Sequence, residues 1–142
     1  MADQRIGLTE ALNHCIPDLR DPDLTQHEQP TLLAQRIFAI ALGYEDVNDH
    51  HQLRVDPSLQ VAAGVAPQPE TVMASPSTQS RLENRVDRRA SVAMSKVYEE
   101  QFIAAQAGQQ SPRELILDFD ATDDPIHGNQ EGRFFHGYYD QY

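Results

Sequence analysis

Apolar positions recur at helical spacing from the N-terminus to about residue 107, and the pattern turns strand-like only after residue 112. Leu8, Leu12 and Cys15 predict a short helix over about 9–15, opened by Thr9 and stopped by Pro17. Residues 17–28, PDLRDPDLTQHE, hold prolines and aspartates and predict a loop with capping residues. The clearest helix covers 31–42 within TLLAQRIFAIALGY, with Pro30 at its start and Gly43 at its end. Leu32, Leu33, Ile37, Ile40 and Ala41 mark one wide apolar face, and Phe38 broadens it.

A polar turn with a short helix over 45–52 comes next, then a second short helix from Pro57 to Ala63. VAPQPETVMASPSTQS carries three prolines and predicts a loop. From Ser77 or Thr78 no Pro or Gly intervenes until Gly108, so one long helix is expected over 76–107. Leu82, Val86, Val92, Val97 and Phe102 mark its buried side. After a linker over 108–112, residues 114–120 read as a strand, 121–131 as a polar loop, and the aromatic segment 132–142 as a second strand. The fold class expected is α+β, a helical region over 1–107 followed by a strand hairpin over 108–142.

Composition narrows the function classes. At 142 residues, with 39% hydrophobic content, the chain has a one-domain length and a modest core. No apolar run approaches the ~20 residues of a membrane span, and the N-terminus lacks the pattern of a signal peptide. One cysteine, Cys15, excludes an internal disulfide and every multi-cysteine zinc motif. A reducing compartment is implied, and the cytoplasm is the expected location. The net charge of -11 argues against tight nucleic-acid binding by the chain alone, because phosphate contacts supply most of that affinity. Bases outnumber acids only in the middle region, 76–111, by five to four.

The strand at 114–120 runs into a carboxylate cluster, Asp118, Asp120, Asp123 and Asp124. Alternation puts Leu115, Leu117 and Phe119 on one face and Ile116, Asp118 and Asp120 on the other. Asp118 and Asp120 would then sit about 6.6–7 Å apart along the strand. Carboxylates rarely occupy an internal strand unless they are paired or hold a cation. A hard divalent ion such as Mg²⁺ suits oxygen donors of this kind, and two such ions can clamp a phosphodiester. The plainer reading is an ordinary acidic turn, with Asp120 as the cap of the loop behind it.

Longer segments carry a more specific signal. LILDFDATDDPIHGNQEGRFFHGYYDQY closely resembles the start of the catalytic domain of bacterial insertion-sequence transposases of the DDE type, the DDE transposase group 1 family. GYEDVNDHHQLRVDP and SPSTQSRLEN resemble the N-terminal region of that family, in the same order. The resemblance implies a ribonuclease H-like core in which two aspartates and a glutamate hold two Mg²⁺ ions. It implies water attack at the transposon end, followed by attack of the freed 3′-hydroxyl on target DNA. Asp120, with Thr122 behind it, matches the first catalytic aspartate and metal ligand, and Asp118 is the runner-up. The other two carboxylates are expected beyond residue 142, so the chain reads as a truncated transposase that is inactive alone. A non-catalytic regulator that binds DNA or the transposase, or an inactive remnant, is the alternative.

Arg81, Arg85, Arg88 and Arg89 recur at i, i+4, i+7 and i+8, one face of the long expected helix. They are the candidate contacts to transposon-end DNA, with a solvated face paired to Glu83 and Asp87 as the plainer reading. DNA is therefore the partner expected from the resemblance, with full-length transposase or a second copy also in view. His50 and His51 beside Asp49, and His127 and His136 near the acidic segment, fit no zinc spacing and read as loop or surface histidines. Phe134, Phe135, Tyr138 and Tyr139 read as packing residues of the second strand.

Overall fold

The structure is a computed structural model that describes residues 2–107, 114, 116–118, 134–138 and 140. The chain divides into two compact units, Met1–Gln109 and Gln110–Tyr142.

The first unit is helical. In order, α1 (Ala2–Ile6), α2 (Leu8–Asn13), α3 (Gln29–Ala41), α4 (His50–Leu53), α5 (Pro57–Ala62), α6 (Pro76–Glu83) and α7 (Arg88–Gln106) are joined by loops. Two of the loops carry single 3₁₀ turns, Pro22–Leu24 and Val47–Asp49. Local chemistry sets most of these ends. Pro57 and Pro76 open their helices, where a missing N–H costs nothing. Asp56 and Asp87 cap theirs, each carboxylate accepting from the third amide on, Leu59 at 2.9 Å and Ala90 at 2.7 Å. Gly43 closes α3 at φ 90°, a conformation that favours glycine.

Central to this unit, α3 packs on α2, α5 and α6. One side of it joins a cluster of Leu12, Ile16, Leu32, Leu33, Ala74 and Leu82, on which Val86, Met94 and Val97 close. Another side joins Ala34, Leu59, Ala63 and Met73. Ile40 and Ala41, expected on the buried face, are exposed instead. Their place is taken by Ala34, Gln35 and Ala39.

Four buried glutamines hold the helices to neighbouring backbone. Gln35 pairs with both polar groups of Ala74, accepting from its N–H at 3.1 Å and donating to its carbonyl at 3.0 Å. Gln79 donates to the Leu32 carbonyl at 3.2 Å, and Gln29 to the Ile16 carbonyl at 2.8 Å. Gln60 donates to the Thr71 carbonyl at 2.8 Å. Gln29, Gln35 and Gln60 supply the donor that a loop carbonyl needs once water is excluded, and Gln79 ties α6 to α3. The first three anchor loops that have no regular structure of their own, above all residues 71–75.

The single helix expected over 76–107 is broken at residues 84–87. Asp87 adopts an extended backbone (φ -85°, ψ 175°) and turns its carboxylate onto the new helix start. The break resets the helical phase. Leu82 and Val86 stay in the core, but Val92 and Phe102 come out 53% and 59% exposed.

The second unit corrects the fold class. Among the described residues there is no strand and the secondary structure is helical, so the expected α+β fold with its hairpin is not supported; residues 119–133 of that segment lie outside the described residues. Residues 116–118 have irregular backbone, and His136 takes part in a β-bridge rather than a strand. Ile116 and Leu117 are 83% and 65% exposed, and Phe134 and Tyr138 are 71% and 85% exposed. A two-stranded hairpin is marginal unless other elements cover its apolar face, and these side chains lie largely in solvent.

Candidate nucleic-acid interface

Thr78, Arg81, Leu82 and Arg85 follow at i, i+3, i+4 and i+7, so α6 and the turn after it present them together. Opposite stands the loop from Arg20 to His27. Between the two lies an open cleft of about 670 Å³. Leu24, Leu32 and Leu82 give it an apolar lining, and Arg20, Arg81 and Arg85 make it cationic.

Asp18 organises two of these cations. Its carboxylate takes a bidentate pair from Arg20, Nε at 2.7 Å and Nη2 at 2.6 Å, and a third bond from Arg85 Nη1 at 2.9 Å. The hydrogen bonds from Arg20 hold the Asp18 carboxyl well below the usual carboxylate range, against the opposing pull of desolvation. Arg20 spends its Nη1 on the His27 carbonyl at 2.8 Å. His27 is half-buried, and burial, with the nearby Arg20 charge, lowers its pKa. Among the described residues, Arg85 keeps Nε and Nη2 available, and Arg81 makes no ion pair.

The four predicted arginines therefore separate. Arg81 and Arg85 line the cleft, while Arg88 and Arg89 are exposed in the first turn of α7, beyond the break. The acidic partners expected for them are engaged elsewhere. Glu83 binds Arg36 at 2.6 Å, and Asp87 caps α7. No local pattern marks Arg20 and Asp18 as site residues; Asp18 and Arg85 lie 67 positions apart, and only the fold brings them together.

The predicted carboxylates fare differently. Asp118 is exposed on irregular backbone, and Asp120 and Thr122 lie outside the described residues, as does His127. Among the described residues, no three Asp, Glu, His or Cys side chains come together to hold a metal ion. They do not supply the donor set that Mg²⁺ requires. His50 is a buried core residue bonded to Gln35, His51 is exposed, and His136 lies 6.4 Å from the Phe134 ring.

Over residues 1–142, the whole chain matches the family model described as transposase DDE domain group 1. The chain belongs to that family. No curated protein and no solved structure matches it. DDE transposases as a family work with divalent metal ions and on DNA. In this member no helix among the described residues is long and apolar enough to cross a membrane.

Proposed function

We propose that this DDE transposase chain serves DNA transposition, the cutting of DNA at transposon ends and its joining to a new site. The observation that carries the reading is the family match over the full 142 residues. In this reading residues 1–107 form an N-terminal helical region that contacts DNA. Residues 108–142 open the catalytic region, with Asp120 as its first metal-binding carboxylate, Asp118 as runner-up and Mg²⁺ as the ion. The work belongs in the bacterial cytoplasm, where the DNA is.

Arg81, Arg85, Arg88 and Arg89 are the phosphate contacts we assign. The free donors on Arg81 and Arg85, and the exposure of Arg88 and Arg89, support that role. Fluorescence anisotropy with a labelled transposon-end duplex tests it across a salt series. Binding is expected to be weak for a chain of charge -11 and to fall steeply with salt. Each Arg→Gln change should flatten the log–log salt slope by about 1. Binding that is unchanged when all four arginines are replaced would remove the assignment.

A further inference from the structure

Phosphate contacts alone do not account for the cleft beside α6. At about 670 Å³ it falls within the ~300–1,000 Å³ typical of sites that enclose small molecules. A phosphate group would fill only a fraction of it, and an intact duplex, whose bases are stacked and paired, would lay only its backbone across the mouth. Its lining is divided in kind. On one side, Arg81 and the open edge of Arg85 offer charged donors, with Asp18 fixing Arg85 in place. Opposite, Leu24 offers apolar surface, 84% exposed on its 3₁₀ turn, while Leu32 and Leu82, 1% and 2% exposed, belong to the core beneath the cleft. Asn84 and Gln26 add amides to the lining; Asn84 donates to Ser80 Oγ at 3.4 Å, and Gln26 makes no side-chain hydrogen bond among the described residues.

We propose that this cleft holds one unpaired nucleotide of a DNA strand. Its phosphate lies between Arg81 and Arg85, its base rests on Leu24, and the amides of Gln26 and Asn84 meet the edge of the base. Amides suit that edge because each carries both a donor and an acceptor. Of the neighbouring carboxylates, Asp18 is paired with Arg20 and Arg85, while Asp21, also in the lining, keeps its charge and accepts from the Asp23 amide at 3.0 Å; three arginines outnumber the two. The inference deepens the proposed function and rests on it for the choice of DNA as the polymer.

The test is an NMR titration of the 142-residue chain, following the methyl signals of Leu24, Leu32 and Leu82 and the Nε–H signals of Arg81 and Arg85. Four probes are compared: inorganic phosphate, a free deoxynucleoside monophosphate, a six-nucleotide single strand, and a blunt duplex. The single strand should move both leucine and arginine signals and bind at least tenfold more tightly than the duplex. Arg81→Gln should weaken it about tenfold, and Leu24→Asn should weaken it while leaving phosphate binding unchanged. Both side chains are exposed, so neither change threatens the fold. Phosphate as tight as the single strand, with still leucine methyls, would overturn the proposal in favour of a simple anion site. A free monophosphate as tight as the strand would reassign the cleft to a soluble nucleotide. A duplex as tight as the single strand would overturn the nucleotide site and leave the DNA reading standing, whereas no binding of either DNA would remove both.

Discussion

Replacing Gln35 by methionine keeps its volume and removes its amide, which isolates what the amide does. Gln35 is fully buried and makes three hydrogen bonds: two to Ala74, and one from Nε2 to His50 Nδ1 at 3.0 Å. Methionine leaves the Ala74 N–H, the Ala74 carbonyl and His50 Nδ1 buried without partners. Each such group costs about 1–3 kcal/mol, so the loss is about 3–5 kcal/mol once the loop relaxes in part. That is a large share of the ~5–15 kcal/mol that holds a domain of this size. Urea denaturation followed by circular dichroism reads it directly. With a slope of about 1–3 kcal/mol per molar, the midpoint should fall by at least about 1 M. Exposed Gln26 changed to methionine is the control, and should move stability by less than about 0.5 kcal/mol. A Gln35→Met midpoint within about 0.3 M of the parent would mean that the glutamine network does not hold the 71–75 loop.

Acidification from pH 7.5 to 5.5 should lower stability. Burial lowers the pKa of both His27 and His50, with Arg20 and Arg36 adding to it respectively, so the unfolded chain takes up their protons first, near pH ~6.5. The loss begins there and levels off below the folded values; urea midpoints that stay flat across that range would contradict it. Asp87→Ala should cost about 1 kcal/mol through loss of the α7 cap, read as a drop in urea midpoint with unchanged slope, and no drop would show that the break at 84–87 does not depend on the cap. Asp18→Asn should change stability by less than about 1 kcal/mol, because its ion pairs are partly solvated, yet it should alter single-strand affinity by freeing Arg85. Unchanged affinity in that variant would show that Asp18 does not position the cleft.

Local chemistry is what the sequence determined by itself. Pro30, Gly43, Pro57 and the apolar spacing of 31–42 were enough to place α3 and α5 to within a few residues, because those signals act over one or two turns. The motifs of the carboxylate segment and of 43–57 and 75–84 were enough to point to the DDE transposase family, which the whole-chain match shows. Tertiary structure decided the rest. Asp87 was legible as a helical residue and serves as a cap, because the chain breaks at 84–87, where Val86 packs on the core from the turn and Val97 packs on it from α7. Glutamines that look like surface residues became the buried ties of the fold, since a loop carbonyl shut off from water must find a donor wherever the packing brings one. An Asp-rich loop and an arginine 67 positions away became one charged cleft. No local pattern contains such a pairing, and the strand pattern at 114–120 shows the converse: alternation describes a strand only when neighbours exist to cover and pair it.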